Sequence, residues 1–381
     1  MKPRLSLALP LWTLLACGAE TPLPPPPPPP PLAPTASAAT PVAAPTGSAP
    51  APADTGAAPA AAGPAQLTFK AVALPGATAP ASLDYIAFEA AHARVWVPVG
   101  GTGSADVYDI ASGSFTRVDG FKTAEKERNG KKRMMGPSAV SIGDGFAYVG
   151  NRASAEICPI DLASLKPGKC IKLPSSTDGV AYVASAREVW VTTPSDQSIV
   201  VLDASKPGAL KVKTTIKLEG GPEGYASDDS RGLFFTNLED KNKTVVIDVK
   251  THKPRATWNL SCGSDGPRGV AADVGRGFVY VACTDHVLVL DGGHEGAELG
   301  KVDTGGGVDN IDWLESRHLL YAAGGKGARL TIARVDDKGQ PTVVATGAST
   351  EGARNGVADA SGNAYVADPV NARLLVFPYA P

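Results

Sequence analysis

The sequence predicts an all-β fold assembled from one repeated sheet unit. Three observations carry that prediction. A pair of short apolar strands recurs seven times after residue 66, the recurrence keeps a spacing of 40 to 54 residues, and helical periodicity is nearly absent. The first strand of each unit falls at Leu83–Ala87, Pro137–Val140, Thr177–Ala181, Pro222–Ala226, Pro267–Ala271, Val308–Asp312 and Arg354–Ala358. The second follows at Arg94–Val97, Phe146–Val149, Glu188–Val191, Gly232–Phe235, Phe278–Val281, Leu319–Ala322 and Ala364–Ala367. Third strands are read at Asp106–Ile110, Glu156–Asp161, Ile199–Asp203, Val245–Asp248, Val287–Asp291, Leu330–Val335 and Leu374–Phe377. Their β-branched and aromatic residues alternate or run continuously, as sheets covered on both faces require.

Counted from the second residue of each unit, the spacings are 54, 40, 45, 45, 41 and 46. A period near this length with several strands per unit is that of a β-propeller blade and not of a helical solenoid. The last unit ends after its third strand, close to the C-terminus, whereas the opening segment Leu67–Leu74 has no blade of its own. One assumption resolves both oddities. If the opening segment supplies the outer strand of the last blade, the ring closes without an exposed sheet edge. The expectation is a seven-bladed β-propeller over residues 66–381, closed by an N-terminal strand.

Upstream of residue 66 the composition changes. Lys2 and Arg4 precede the apolar stretch Leu5–Ala16, which is too short to span a bilayer and long enough for the hydrophobic region of a signal peptide. It ends in Leu14-Leu15-Ala16-Cys17, which resembles the bacterial lipobox. That resemblance implies a lipoprotein signal peptide over residues 1–16, a diacylglycerol thioether on Cys17 and, because Gly18 follows, an outer-membrane address. The alternative is an ordinary secretory signal with an incidental cysteine. Residues 17–65 hold only Glu20 and Asp54 as charges and almost no large apolar side chain, so they are expected to form a disordered tether. The eight prolines from Pro24 to Pro31 make a polyproline II rod of about 25 Å, read as a spacer in preference to a ligand for an aromatic groove.

Charge narrows the partners. The 381 residues carry 36 basic and 38 acidic side chains, a net of −2, which gives no general attraction to nucleic acid. Removing Lys2, Arg4, Glu20 and Asp54 leaves 34 basic and 36 acidic residues, so the balance belongs to the propeller. At 43% hydrophobic the chain can bury a substantial core.

The segments Ala181-Tyr182-Val183, Trp190–Thr193 and Ile199–Asp203 resemble the YVTN or YncE-type propeller repeat. The resemblance covers residues 66–381 and implies an exported propeller. It implies no particular activity, because propellers host many unrelated functions.

Chemistry is sought where the inner strands begin, at one mouth of the central channel. The residues there are Asp84, Ser138, Asp178, Glu223, Arg268, Asp309 and Asn355. Of these, Asp84, Asp178, Glu223, Arg268, Asp309 and Asn355 are the candidate ligand- or partner-binding set. Hard oxygen donors at Asp178, Glu223, Asp309 and Asn355 suit Ca²⁺ or Mg²⁺, and Arg268 suits an anionic group. One reading is a metal-dependent lactonase, hydrolase or lyase, by similarity to gluconolactonase-like and streptogramin-lyase-like propellers. The other is a hydrated polar funnel on a binding module, favoured because no His stands among the seven positions as a general base. Carboxylates so close together should have raised pKa values unless Arg268 or a cation compensates.

Four cysteines remain. Cys158 and Cys170 flank a turn in the second unit, and Cys262 precedes the first strand of the fifth while Cys283 ends its second, so two disulfides are expected in an exported protein. The competing idea is a soft metal site of Cys262, Cys283 and His286. The insertion from Lys122 to Arg133 carries six basic residues against two acidic ones and belongs on the mouth face. It is read as a solvated loop, with a lid or a contact for an acidic partner or lipid headgroup as the alternative. The glycine clusters at 100–103 and 305–307 lack the context of a phosphate-binding loop and are read as turns, and no haem, zinc or nucleophile-elbow motif is found. The expectation is a monomeric, lipid-anchored binding or scaffolding module of the cell envelope, without a required cofactor and without an assembled catalytic set.

Overall fold

Alternating apolar side chains drive each strand into a sheet that is covered on both faces. In Glu188–Thr193 the period of two sends Val189 and Val191 against Tyr148 and Ile157 of the preceding sheet. Trp190 points the other way and packs against Phe234 of the following sheet. Every residue of that strand is buried, which is why it reads as a continuous run. The strand Leu319–Gly324 repeats the device, with Leu320 and Ala322 in one interface and Leu319, Tyr321 and Ala323 in the next.

The computed structural model describes residues 63–128 and 130–379. The expected signal peptide, Cys17 and nearly all of the expected tether lie outside the described residues. The rest forms seven antiparallel sheets whose strands follow chain order, over residues 87–118, 137–172, 180–217, 222–259, 270–303, 308–348 and 355–377. First strands of neighbouring sheets contact one another and so stand innermost. This is a seven-bladed β-propeller. There is no α-helix among the described residues.

Closure follows the sequence expectation. Lys70–Ala73 pairs antiparallel with Arg373–Phe377, Lys70 opposite Val376 and Ala73 opposite Arg373, and becomes the outer strand of the seventh blade. A second N-terminal strand is an addition. Ala65–Leu67 runs parallel to Pro341–Ala348 as a fifth strand of the sixth blade, so the N-terminal segment clamps two blades. Its three residues are too few for a pattern to mark them; the free edge of the sixth blade pairs them, and Leu67 packs against the core there.

The aspartates that end many third strands have a local task. Asp109 accepts from the backbone N–H and hydroxyl of Ser112, Asp161 does the same with Ser164, and Asp248 with Thr251. These bonds hold the three carboxyls below the ordinary aspartate range and fix the turn into the fourth strand. A second repeated device ties large aromatic side chains to buried acids. Trp190 Nε1 donates to Glu188 Oε2 at 2.8 Å, Trp96 Nε1 to Glu89 Oε2 at 2.7 Å, and Tyr365 Oη to Asp359 Oδ2 at 2.9 Å. Each polar tip is thereby satisfied where burial would otherwise be costly.

Both expected disulfides are present, Cys158–Cys170 and Cys262–Cys283. The first fastens the two-residue outer strand Ile171–Lys172, which has too few ladder bonds to hold itself. The second ties the segment entering the fifth blade to the end of that blade's second strand. Both thiols of the competing soft metal site are therefore consumed, and His286 pairs instead with Asp285 through Nδ1 at 2.6 Å.

Candidate binding site at the channel mouth

Crowding at the axis builds the mouth. The inner-strand starts of neighbouring blades hydrogen-bond directly: Tyr85 N–H to Ser138 O, Gly269 N–H to Asp309 O and Asn310 N–H to Arg354 O. A glycine following Asp178, Glu223, Arg268 and Asn355 makes this approach possible. At Gly224, with φ of +68°, an added Cβ would lie 2.2 Å from the carbonyl oxygen of Arg268. The repeat thus sets the side chains just before these glycines facing one small space.

The structure joins most of the expected set. Arg152 donates to Asp84 Oδ2 at 2.9 Å and also to Asp178. Asn355 Nδ2 donates to Asp84 Oδ1 at 3.0 Å and to Asp309 Oδ2 at 3.3 Å. Arg354 Nε closes the chain on Asp309 Oδ2 at 3.1 Å. Glu223 stands apart from it and accepts from the phenol of Tyr85 at 3.3 Å, with the Tyr225 ring 5.4 Å from that of Tyr85. Ser138 is buried, and its hydroxyl has no partner among the described residues.

The electrostatics follow from this arrangement. Burial raises Asp178 to about 6, against the opposing pull of Arg152 and with help from Asp84 and Asp309. Burial and then Asp178, Asp309 and Asp84 push Glu223 well above its ordinary value, and burial and Asp84 raise Asp309. Burial works against the charge on Arg152, but Asp178 and Asp84 outweigh it and keep the guanidinium charged. The close compensating cations are therefore Arg152 and Arg354. Arg268, expected in that role, turns its Nη2 to Glu239 Oε1 at 2.7 Å and acts on Asp309 only from further away. The reason is topological. The loops after the second strands also reach the mouth, and they carry Arg152 in the second blade and Glu239 in the fourth.

Arg152, Arg354, Tyr85 and Tyr225 were not singled out as site residues by reading strand starts alone. The signal for Arg152 was available in its position immediately after the strand Phe146–Asn151. Among the described residues no group of three or more His, Cys, Asp or Glu is placed to hold a metal ion. Of the residues named as hard donors, Asp178 and Asp309 face Arg152 and Arg354, Glu223 faces Tyr85, and Asn355 donates through Nδ2 to Asp84 and Asp309 while its buried Oδ1 has no partner among the described residues.

Two further features share this face. The basic insertion is an ordered antiparallel hairpin, Ala124–Arg128 with Lys131–Met135, where a loop was expected. Its root is tied beside the ring, by Asn151 Nδ2 to Lys122 O at 3.0 Å and Arg152 N–H to Gly136 O at 2.9 Å. On the other side of the mouth, a cavity of about 520 Å³ opens between the fifth, sixth and seventh blades, with Arg268, Lys326 and Arg354 in its walls.

No family model matches the chain, and no curated protein matches it. Solved structures do. The chain is similar to a chain of the mitotic checkpoint complex, at 14% identity and a TM-score of 0.66, covering 82% of this chain and 94% of that one. It is similar to the β-propeller domain of Cps50 (Swd1) from Myceliophteria thermophila, at 9% identity and a TM-score of 0.61, covering 81% and 98%. It is also similar to virginiamycin B lyase from Staphylococcus aureus, at 11% identity and a TM-score of 0.60, covering 82% and 99%. At these identities the likeness establishes the seven-bladed fold and nothing finer.

Proposed function

We propose that this protein is a binding or scaffolding module of the bacterial cell envelope, lipid-anchored through Cys17, that recognises a partner with the mouth face of its propeller. The observation that carries the reading is the state of the mouth. Asp84, Asp178 and Asp309 are engaged by Arg152, Arg354 and Asn355, and Glu223 accepts from the Tyr85 phenol, which supports a rigid polar surface with loops around it. The two disulfides suit an oxidising compartment, in keeping with export. One structural neighbour is a chain of a multiprotein complex, which is in keeping with a protein partner, and another is a lyase. The lyase-like alternative would need the same carboxylates free for a metal, and no observation at the mouth favours it.

Photo-crosslinking in intact cells tests the reading. Crosslinkers at Glu351 or Lys132 on the mouth face are expected to give a discrete adduct, and crosslinkers at Glu295 or Lys338 on the opposite turns are not. Adducts from the opposite turns alone would overturn the assignment of the face. For the anchor, labelling with a palmitate analogue should vanish in Cys17→Ala, and labelling that persists in this variant would remove that part of the reading.

A further inference from the structure

The cavity between the fifth, sixth and seventh blades has a construction of its own. Its floor is backbone. At Gly307 an added Cβ would lie 2.6 Å from the N of Lys326, at Gly325 it would lie 3.1 Å from Cβ of Arg354, and at Gly352 it would lie 2.8 Å from Cγ2 of Val370. The glycine cluster at 305–307, read from sequence as a turn, thus also lets the chain pack closely at the base of this space. Its volume of about 520 Å³ falls within the range of small-molecule sites.

The walls supply a specific chemistry. Arg268 has one nitrogen on Glu239, and Arg354 has one on Asp309, and their other guanidinium nitrogens have no partner among the described residues. Both guanidinia act on the Asp309 carboxylate, which places them around a common region. A planar fork with spare N–H groups matches a carboxylate in bidentate fashion. Val370, 49% exposed, stands at the edge of the cavity and gives an apolar contact. The lining carries Arg268, Lys326 and Arg354 against Asp265, Asp309 and Glu351, so it is formally neutral. Such a site accepts one negative charge and disfavours a polyanion, because the carboxylates repel each additional charge.

We propose that this cleft binds a monocarboxylate with an apolar body, held by the forks of Arg268 and Arg354 and packed on Val370. The proposal rests on the mouth face being the recognition face. The Arg268–Glu239 pair lies near the surface and is worth little, so its rearrangement around an incoming carboxylate is inexpensive. The ligand is either a free small acid or the C-terminal carboxylate of a peptide, which present the same chemistry.

Isothermal titration of the full chain with N-acetyl-leucine, its amide and pyrophosphate tests the proposal. The acid should bind saturably and about tenfold or more tighter than the amide, the loss expected when a charge-assisted hydrogen-bonded pair is removed. Arg268→Gln and Val370→Glu should each weaken the acid by about tenfold while the thermal unfolding curve stays in place, since both side chains are partly exposed. A peptide ending in leucine carboxylate that binds more tightly than N-acetyl-leucine assigns a chain terminus as the source, and weaker binding assigns a free acid. Equal affinity for acid and amide, no saturable binding, indifference to both variants, or tighter binding of pyrophosphate would each overturn the proposal. Carboxylate binding without any mouth-face adduct in cells would keep the cleft and remove the partner-binding reading, so the two fail separately.

Discussion

The two sides of the channel mouth are built from the same repeat and end in opposite states. On the side of the first three blades, Arg152 lies between Asp84 and Asp178, and the three side chains are largely buried. On the side of the fifth to seventh blades, Arg268, Lys326 and Arg354 remain partly exposed around an open cavity. Two sequence choices separate them. The loop after the second strand of blade two carries a cation that reaches the acids, whereas the equivalent stretch of blade six is Gly324-Gly325-Lys326, whose glycines pack closely on neighbouring backbone and whose lysine stays at the rim. Repeats guarantee position around the axis. They do not decide whether a position becomes a plug or a cleft.

The most damaging way to break the sealed side is Arg152→Met. It leaves Asp84 and Asp178 near each other without their cation, and the loss of stability should be about 3–5 kcal/mol in urea unfolding. A loss under about 1 kcal/mol would show that the pair is solvated and the contrast between the sides is false. Gly224→Ala acts at the seam between the fourth and fifth blades. Positive φ and the contact with the Arg268 carbonyl together should cost about 2–4 kcal/mol, seen as a lower urea midpoint at unchanged m-value.

A third substitution has an effect that grows with pH. The folded protein holds a proton on Glu223 more tightly than the unfolded chain does, so this residue's contribution is fully present below the ordinary value of 4.5 and is lost as pH rises through the folded pKa. Asp178 behaves alike, with a window from its ordinary 3.8 up to about 6. Glu223→Gln removes one of these titrations and still accepts the Tyr85 phenol. It should stabilise the protein by about 1–3 kcal/mol at pH 8 and by almost nothing at pH 4, measured as the difference between thermal unfolding curves. The open side should respond much less. Arg268→Gln should change stability by less than about 1 kcal/mol, since its pair with Glu239 is near the surface. The smallest effect expected is none at all: chelator-treated protein titrated with Ca²⁺, Mg²⁺, Mn²⁺ or Zn²⁺ should show no saturable thermal shift, and a shift abolished by Glu223→Gln would restore the metal-dependent alternative.

Much of the fold was legible because propeller packing leaves a period in the chain. The second strands such as Glu188–Thr193 and Leu319–Gly324 are buried on both faces, and that requirement writes an apolar run about every 45 residues. The incomplete last unit and the surplus Leu67–Leu74 segment announced the closure. Ala65–Leu67 was not legible, since three residues are too few to show a period and their pairing is set by a free edge of a distant blade. At the mouth, the ring positions could be read from the glycines that follow them. Their partners could not, because Arg152 and Arg354 reach the acids across blades, over sequence separations that no local pattern encodes. Arg268 looked equivalent in sequence and was diverted by Glu239, a residue of the neighbouring blade.

By itself, then, the chain determined a neutral, seven-unit β-propeller with two disulfides and a polar ring at one mouth, since strand periodicity, glycine placement and cysteine pairing are local or nearly local properties. Tertiary structure alone decided which carboxylates are neutralised, which cations stay available and where space remains open. Those outcomes depend on distances between blades, and over such distances a difference of an ångström or two decides whether two charges pair or face water.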